Sequence, residues 1–105
     1  MYIVVVEDER GALISERPLT ERGLTFGRTP DNDVTLTGTD ISRQHARILV
    51  QGGEVIVQDL DSANGVLIDD QRIRGSVSIT ERNRVRIGDF YLHVEHVEAR
   101  PAGLR

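Results

Sequence analysis

An all-β fold, a sandwich or barrel of about eleven short strands, is the architecture this sequence predicts. Three observations carry it. Apolar residues fall in short runs rich in Val, Ile and Leu, such as Tyr2 to Val6 and Ala46 to Val50. Clusters of Gly, Pro, Asn and Asp interrupt those runs at intervals of roughly 8–12 residues. No stretch repeats apolar residues at the three-and-four spacing of an amphipathic helix.

Each element follows from local chemistry. Tyr2 to Val6 is a β-branched run with no helical period, and Glu7 to Gly11 is a polar turn closed by glycine. Ala12-Leu13-Ile14 resumes an extended pattern that Pro18, lacking a backbone donor, confines to a sheet edge or a strand end. Leu24 to Arg28 and Val34 to Leu36 are short strands around the turn-forming Thr29 to Asp33. From His45 onward, Ala46, Ile48 and Val50 share one face while Arg47 and Gln51 take the other. Gly52-Gly53 supplies the positive φ angles of a tight hairpin turn, so Val55-Ile56-Val57 returns as the partner strand. Asp59 to Asn64 is loop, Val66 to Ile68 strand, and Asp69-Asp70 another turn. Val77 and Ile79 alternate with Ser76, Ser78 and Thr80. Arg84 to Ile87 alternates with its arginines expected in solvent, and Phe90 to Val97 closes the domain. Ala99 to Arg105 carries Pro101 and Gly103 without pattern, and is expected to be a tail or the start of a linker.

A length of 105 residues suits one domain with one modest core. Two Phe, two Tyr and no Trp leave the packing to aliphatic side chains. The net charge of −4 argues against a nucleic-acid partner, which normally meets a basic excess. No apolar run reaches the roughly 18 residues of a membrane helix, and the N-terminus lacks the basic region of a signal peptide. The absence of cysteine excludes disulfides, thiolate metal sites and a Cys nucleophile, and is compatible with a cytoplasmic location. All 13 basic residues are arginine, so an anion site must be built from guanidinium, hydroxyl and backbone N–H groups.

Three short pieces stand where strands start or stop: Gly27-Arg28, Ser42-Arg43-Gln44-His45 and Asn64-Gly65. Loops on a rigid β scaffold are where binding residues gather. These pieces, within GLTFGRTPDNDVTL, SRQHARI, QDLDSANGVLID and RVRIGDFYLHVE, resemble the forkhead-associated (FHA) domain, from about Tyr2 to Val97. That resemblance implies a two-sheet β-sandwich spanning residues 1–98, with binding loops at one end and phosphothreonine peptides as ligands.

A phosphate group carries about −1.5 to −2 charges at neutral pH and calls for several converging donors. By resemblance, Arg28 and Ser42 are its ligands, Arg43 is a further contact, and Asn64 holds the peptide backbone. A salt bridge from Arg28 to Asp31 or Asp33 is the bland alternative. Gly27 and Gly65 are expected to permit positive φ or close backbone approach. His45 could be imagined as a base for a Ser42 nucleophile, but no glycine-framed nucleophile turn accompanies it; the resemblance makes it a loop brace. Asp40, two residues before Ser42, is expected to flank the ligand and favour Arg or Lys there, or else to cap its own loop. His93 and Glu95 share a strand face that His96 does not, so the three cannot meet on one metal.

Ala63 departs from the family, in which a small hydroxyl residue usually precedes Asn-Gly and helps hold the phosphate. The retained Arg28, Ser42 and Asn64 nevertheless make the expected function a non-enzymatic phosphothreonine-binding module, monomeric, without cofactor, in a Ser/Thr kinase pathway. The alternative is a phosphate-independent FHA-fold scaffold in a larger bacterial assembly such as a secretion system.

Overall fold

A computed structural model describes residues 1–97; the stretch expected to be a tail or linker lies outside them. Eleven strands and no helix make up the described chain: β1 (Tyr2–Glu7), β2 (Leu13–Leu19), β3 (Leu24–Gly27), β4 (Val34–Thr35), β5 (Ala46–Gln51), β6 (Glu54–Asp59), β7 (Leu67–Ile68), β8 (Gln71–Arg72), β9 (Ser76–Ile79), β10 (Val85–Ile87) and β11 (Phe90–His96). They form two sheets. One has six strands in the order β2-β1-β11-β10-β7-β8, the other five in the order β4-β3-β5-β6-β9. Every pairing is antiparallel except that of β3 with β4.

Alternation places the core. Val4 and Val6 of β1, Leu92 and Val94 of β11, and Val85 and Ile87 of β10 are buried. From the other sheet come Phe26, Ala46, Ile48 and Val57, all fully shielded from solvent. Each such Val, Leu, Ile or Phe side chain contributes about 1.5–3 kcal/mol on burial, so the aliphatic residues carry most of the core. Pro18 lies opposite Ile3 on β2, at the edge of the six-stranded sheet, where its missing N–H breaks no ladder.

Two hairpins close with two-residue turns of left-handed backbone. Gly52 and Gly53 have φ of 59° and 79° between Gln51 and Glu54, which face one another across the β5–β6 pair. Asp69 and Asp70, at 49° and 68°, do the same between Ile68 and Gln71. β8, two exposed residues beyond that turn, has no signature in the sequence. Arg84 is in solvent as expected, but Arg86 is half-buried, because its Nε donates to the Gly88 carbonyl at 2.9 Å. The two arginines of the Arg84 to Ile87 stretch are therefore not both solvated.

Candidate functional site at the loop end of the sandwich

Three connections converge: the β3–β4 turn, the β4–β5 loop and the β6–β7 loop. Backbone bonds begin the assembly, with Arg28 N–H donating to Ser42 C=O at 3.0 Å and His45 N–H to Phe26 C=O at 2.9 Å. The Arg43 carbonyl packs so close to Gly27 that a Cβ there would stand 2.1 Å from its oxygen. Only glycine leaves that room. Gly65 has φ of +86°, a left-handed conformation that favours glycine, while the atoms nearest a Cβ there belong to the flexible Arg72 side chain.

His45 joins the second loop to the third. It is fully buried. Its Nδ1 accepts from the Ser42 N–H at 3.0 Å, and its Nε2 lies 2.7 Å from the Gly65 carbonyl. A carbonyl can only accept, so these partners assign the proton to Nε2 in a neutral ring. The Ser42 hydroxyl is not directed at this imidazole. Its Oγ accepts instead from the Ala63 N–H at 3.0 Å. No nucleophile–base pair exists at this position, and the brace geometry accounts for both ring nitrogens.

The Asp59 and Ser62 side chains hold the third loop from within. Ser62 Oγ donates to Asp59 Oδ1 at 2.6 Å and accepts from the Gly65 N–H at 3.0 Å. Ser62 is buried. The spacing Asp-x-x-Ser, in which an acidic side chain caps a following turn, is the signal that could have marked this pair in the sequence.

The surface left between the loops is a recess of about 400 Å³ lined by Arg28, Thr39, Ile41, Ser42, Arg43, Gln44, Ala63 and Asn64. No carboxylate lines it. Among the described residues neither the Arg28 nor the Arg43 guanidinium takes part in an ion pair, the one such contact being His93 with Glu95. The salt bridge considered for Arg28 does not form. Asp31 is engaged by the Thr29 hydroxyl and by Gln44 Nε2. The Thr29 bond, its own backbone N–H and Gln44 hold its carboxyl below the usual value. Asp33 accepts from the Thr25 N–H and hydroxyl. Asn64 Nδ2 donates to the Asp40 carbonyl at 3.0 Å, leaving its second N–H and its Oδ1 for other partners. Ser42 Oγ, being an acceptor toward Ala63, keeps its proton to donate.

Asp40 falls beside this recess rather than in it. It lines a neighbouring one with Asn64, Gly65, Leu67, Arg86 and Gly88, and its carboxylate leans toward Gly88. His93 Nε2 meets Glu95 Oε2 at 2.9 Å while His96 stacks edge-on against Tyr2. The described residues contain no metal-binding group of three or more such side chains. Among the described residues no helix is long and apolar enough to cross a membrane.

The family model described as FHA domain matches residues 24–88, which include all three convergent loops. The chain belongs to the FHA-domain family. The transcriptional regulatory protein EmbR of Mycobacterium tuberculosis is 38% identical to this FHA domain over 72 residues, 69% of this chain and 19% of EmbR. The FHA domain-containing protein FhaB of the same organism is 38% identical over 88 residues, 83% of this chain and 55% of FhaB. The chain thus spans about a fifth to about half of the length of these relatives. Among solved structures, M. tuberculosis EmbR in complex with a low affinity phosphopeptide superposes with a TM-score of 0.76 at 30% identity, over 89% of this chain and 24% of that one.

Proposed function

We propose that this FHA domain binds phosphothreonine-containing protein segments, as a monomeric, non-enzymatic cytoplasmic module of a Ser/Thr kinase pathway. One observation carries the reading. A protein of net charge −4 presents a recess with two unpaired guanidiniums, a serine hydroxyl free to donate, and no carboxylate. That arrangement complements a dianion. The EmbR likeness, whose structure carries a phosphopeptide, supports the same ligand class. Arg28, Ser42 and Arg43 are the proposed phosphate contacts, and Asn64 the contact to the peptide backbone.

Ala63 favours a second reading, a scaffold indifferent to phosphate. It puts a methyl group at the rim, and its N–H is already spent on Ser42 Oγ. One calorimetric experiment separates the two, using matched phosphorylated and plain peptides from a phosphothreonine library. For the phosphate reader, only phosphorylated peptide binds, and Arg28→Ala or Ser42→Ala weakens it about 10- to 100-fold, the loss of one charge-assisted hydrogen bond. Ala63→Thr then strengthens binding several-fold. Equal binding of both peptides by wild type ends the phosphate reading.

Asp40 is proposed to select Arg or Lys in the ligand residues that reach its recess, since opposite charges within about 4–6 Å attract. A peptide array enriched in Asp or Glu at those positions contradicts this.

A further inference from the structure

Asn32 sits in the β3–β4 turn, outside the recess, and its side chain is buried. Its amide nitrogen reaches three acceptors: the Thr29 carbonyl at 2.9 Å, the Thr29 hydroxyl at 3.2 Å and the Arg43 carbonyl at 2.7 Å. The Thr29 hydroxyl also stands 3.2 Å from the Arg43 carbonyl. A side-chain amide spanning two loops costs rotational freedom, and ordinary turn formation needs only the first of these bonds. The bond to Arg43 joins strands of sequence 11 residues apart.

Its effect lies in what the acceptor belongs to. Arg28 N–H already holds the Ser42 carbonyl, so Arg28 and Asn32 together hold two consecutive carbonyls of the loop that carries Ser42 and Arg43. The Ser42 N–H, bonded to His45 Nδ1, holds the preceding peptide plane, so three successive planes are fixed. The Cα atoms of Ser42 and Arg43 between them have little freedom, and the directions of both side chains are set with them. Gly27 supplies the space in which this happens, because a Cβ there would also stand 2.7 Å from Asn32 Nδ2.

We propose that Asn32 is a positioning residue for anion binding: it orients Arg43 and Ser42 toward the recess without touching the ligand. This rests on the phosphothreonine reading above. Holding donors in place before the ligand arrives removes an ordering cost from binding, so the residue acts on affinity as well as on loop order.

The test is a double-mutant cycle. Wild type, Asn32→Ala, Arg43→Ala and the double variant are titrated with one phosphothreonine peptide selected from a degenerate library, at a temperature where all are folded. Amide hydrogen exchange is followed on the free proteins. Asn32→Ala is expected to weaken binding about tenfold. In its background Arg43→Ala should cost little more, because the guanidinium is no longer aimed. The Arg28 and Ala63 amides, both bonded to Ser42, should exchange faster while core amides such as Ile48 keep their protection. Unchanged affinity, or independent penalties that multiply, overturns the proposal. If Asn32→Ala does not fold, Asn32→Ser, which retains a single donor, takes its place with the same expectations. Should wild type bind no phosphorylated peptide, the reading beneath falls, and with it the claim on affinity. The exchange measurement still judges the brace, and equal exchange in wild type and variant refutes it.

Discussion

Replacing His45 by alanine would orphan two backbone groups at once, the part-buried Ser42 N–H and the buried Gly65 carbonyl. It would also leave a void where a fully shielded ring had been. Each unsatisfied group costs about 1–3 kcal/mol, and the cavity adds to that. His45→Ala should therefore lower the melting temperature by roughly 10 °C or more, together with a loss of phosphopeptide affinity. Arg28→Ala, whose guanidinium has no partner among the described residues, should reduce affinity and leave melting almost unchanged. Differential scanning calorimetry beside titration distinguishes the two; a His45→Ala protein that melts like wild type would show that the loops are held by other means. Arg28, Ser42 and Asn64 were legible in the sequence because each belongs to a short phrase at a strand boundary. Asn32 was legible as a turn former within a stretch that resembles the family, not as a link between loops. Its bond to Arg43 depends on how two loops fold back on one another, which no local pattern encodes.

Strands β1, β5, β6 and β11 could be read directly, from a β-branched run in β1, alternation in β5 and β11, and the Gly-Gly hairpin turn before β6. β4 and β8 are two residues each, and their pairing is decided by neighbours distant in sequence. The order of strands within the sheets is likewise non-local and was not legible; family resemblance rather than periodicity supplied only their division into two sheets. At the β7–β8 turn the Asp69 carboxylate ties two hairpins together, accepting the Arg84 N–H at 2.9 Å and Asn83 Nδ2 at 2.6 Å. Those bonds, the backbone one foremost, hold its carboxyl below the ordinary value of 3.8. A carboxylate depressed in the folded state stabilises the fold above its unfolded pKa, and that contribution disappears as pH falls through the folded one. Urea midpoints should accordingly decline as pH drops from about 5 to below the ordinary carboxylate value. Asp69→Asn should flatten part of that decline; an identical acid profile for wild type and variant would remove Asp69 from the account.

Taken whole, the sandwich leads its first and last strands out side by side. β1 and β11 are antiparallel neighbours, with Tyr2 facing His96 at one end, Glu7 facing Tyr91 at the other, and Val97 N–H donating to the Met1 carbonyl at 2.6 Å. Under tension this pairing behaves like a zip. Force applied between Met1 and Val97 peels the two strands apart from the Tyr2–His96 end, loading their hydrogen bonds one after another. Force applied between Gly11 and Val97 instead slides β1 along β11, so the same bonds must fail together. In optical-trap pulling at equal loading rate, the first pair of handles should release the domain at clearly lower force than the second. Equal rupture forces would mean that the mechanical weak point lies elsewhere. A module of this design, stretched by its two ends, would open strand by strand at lower force than the same pairing loaded lengthwise.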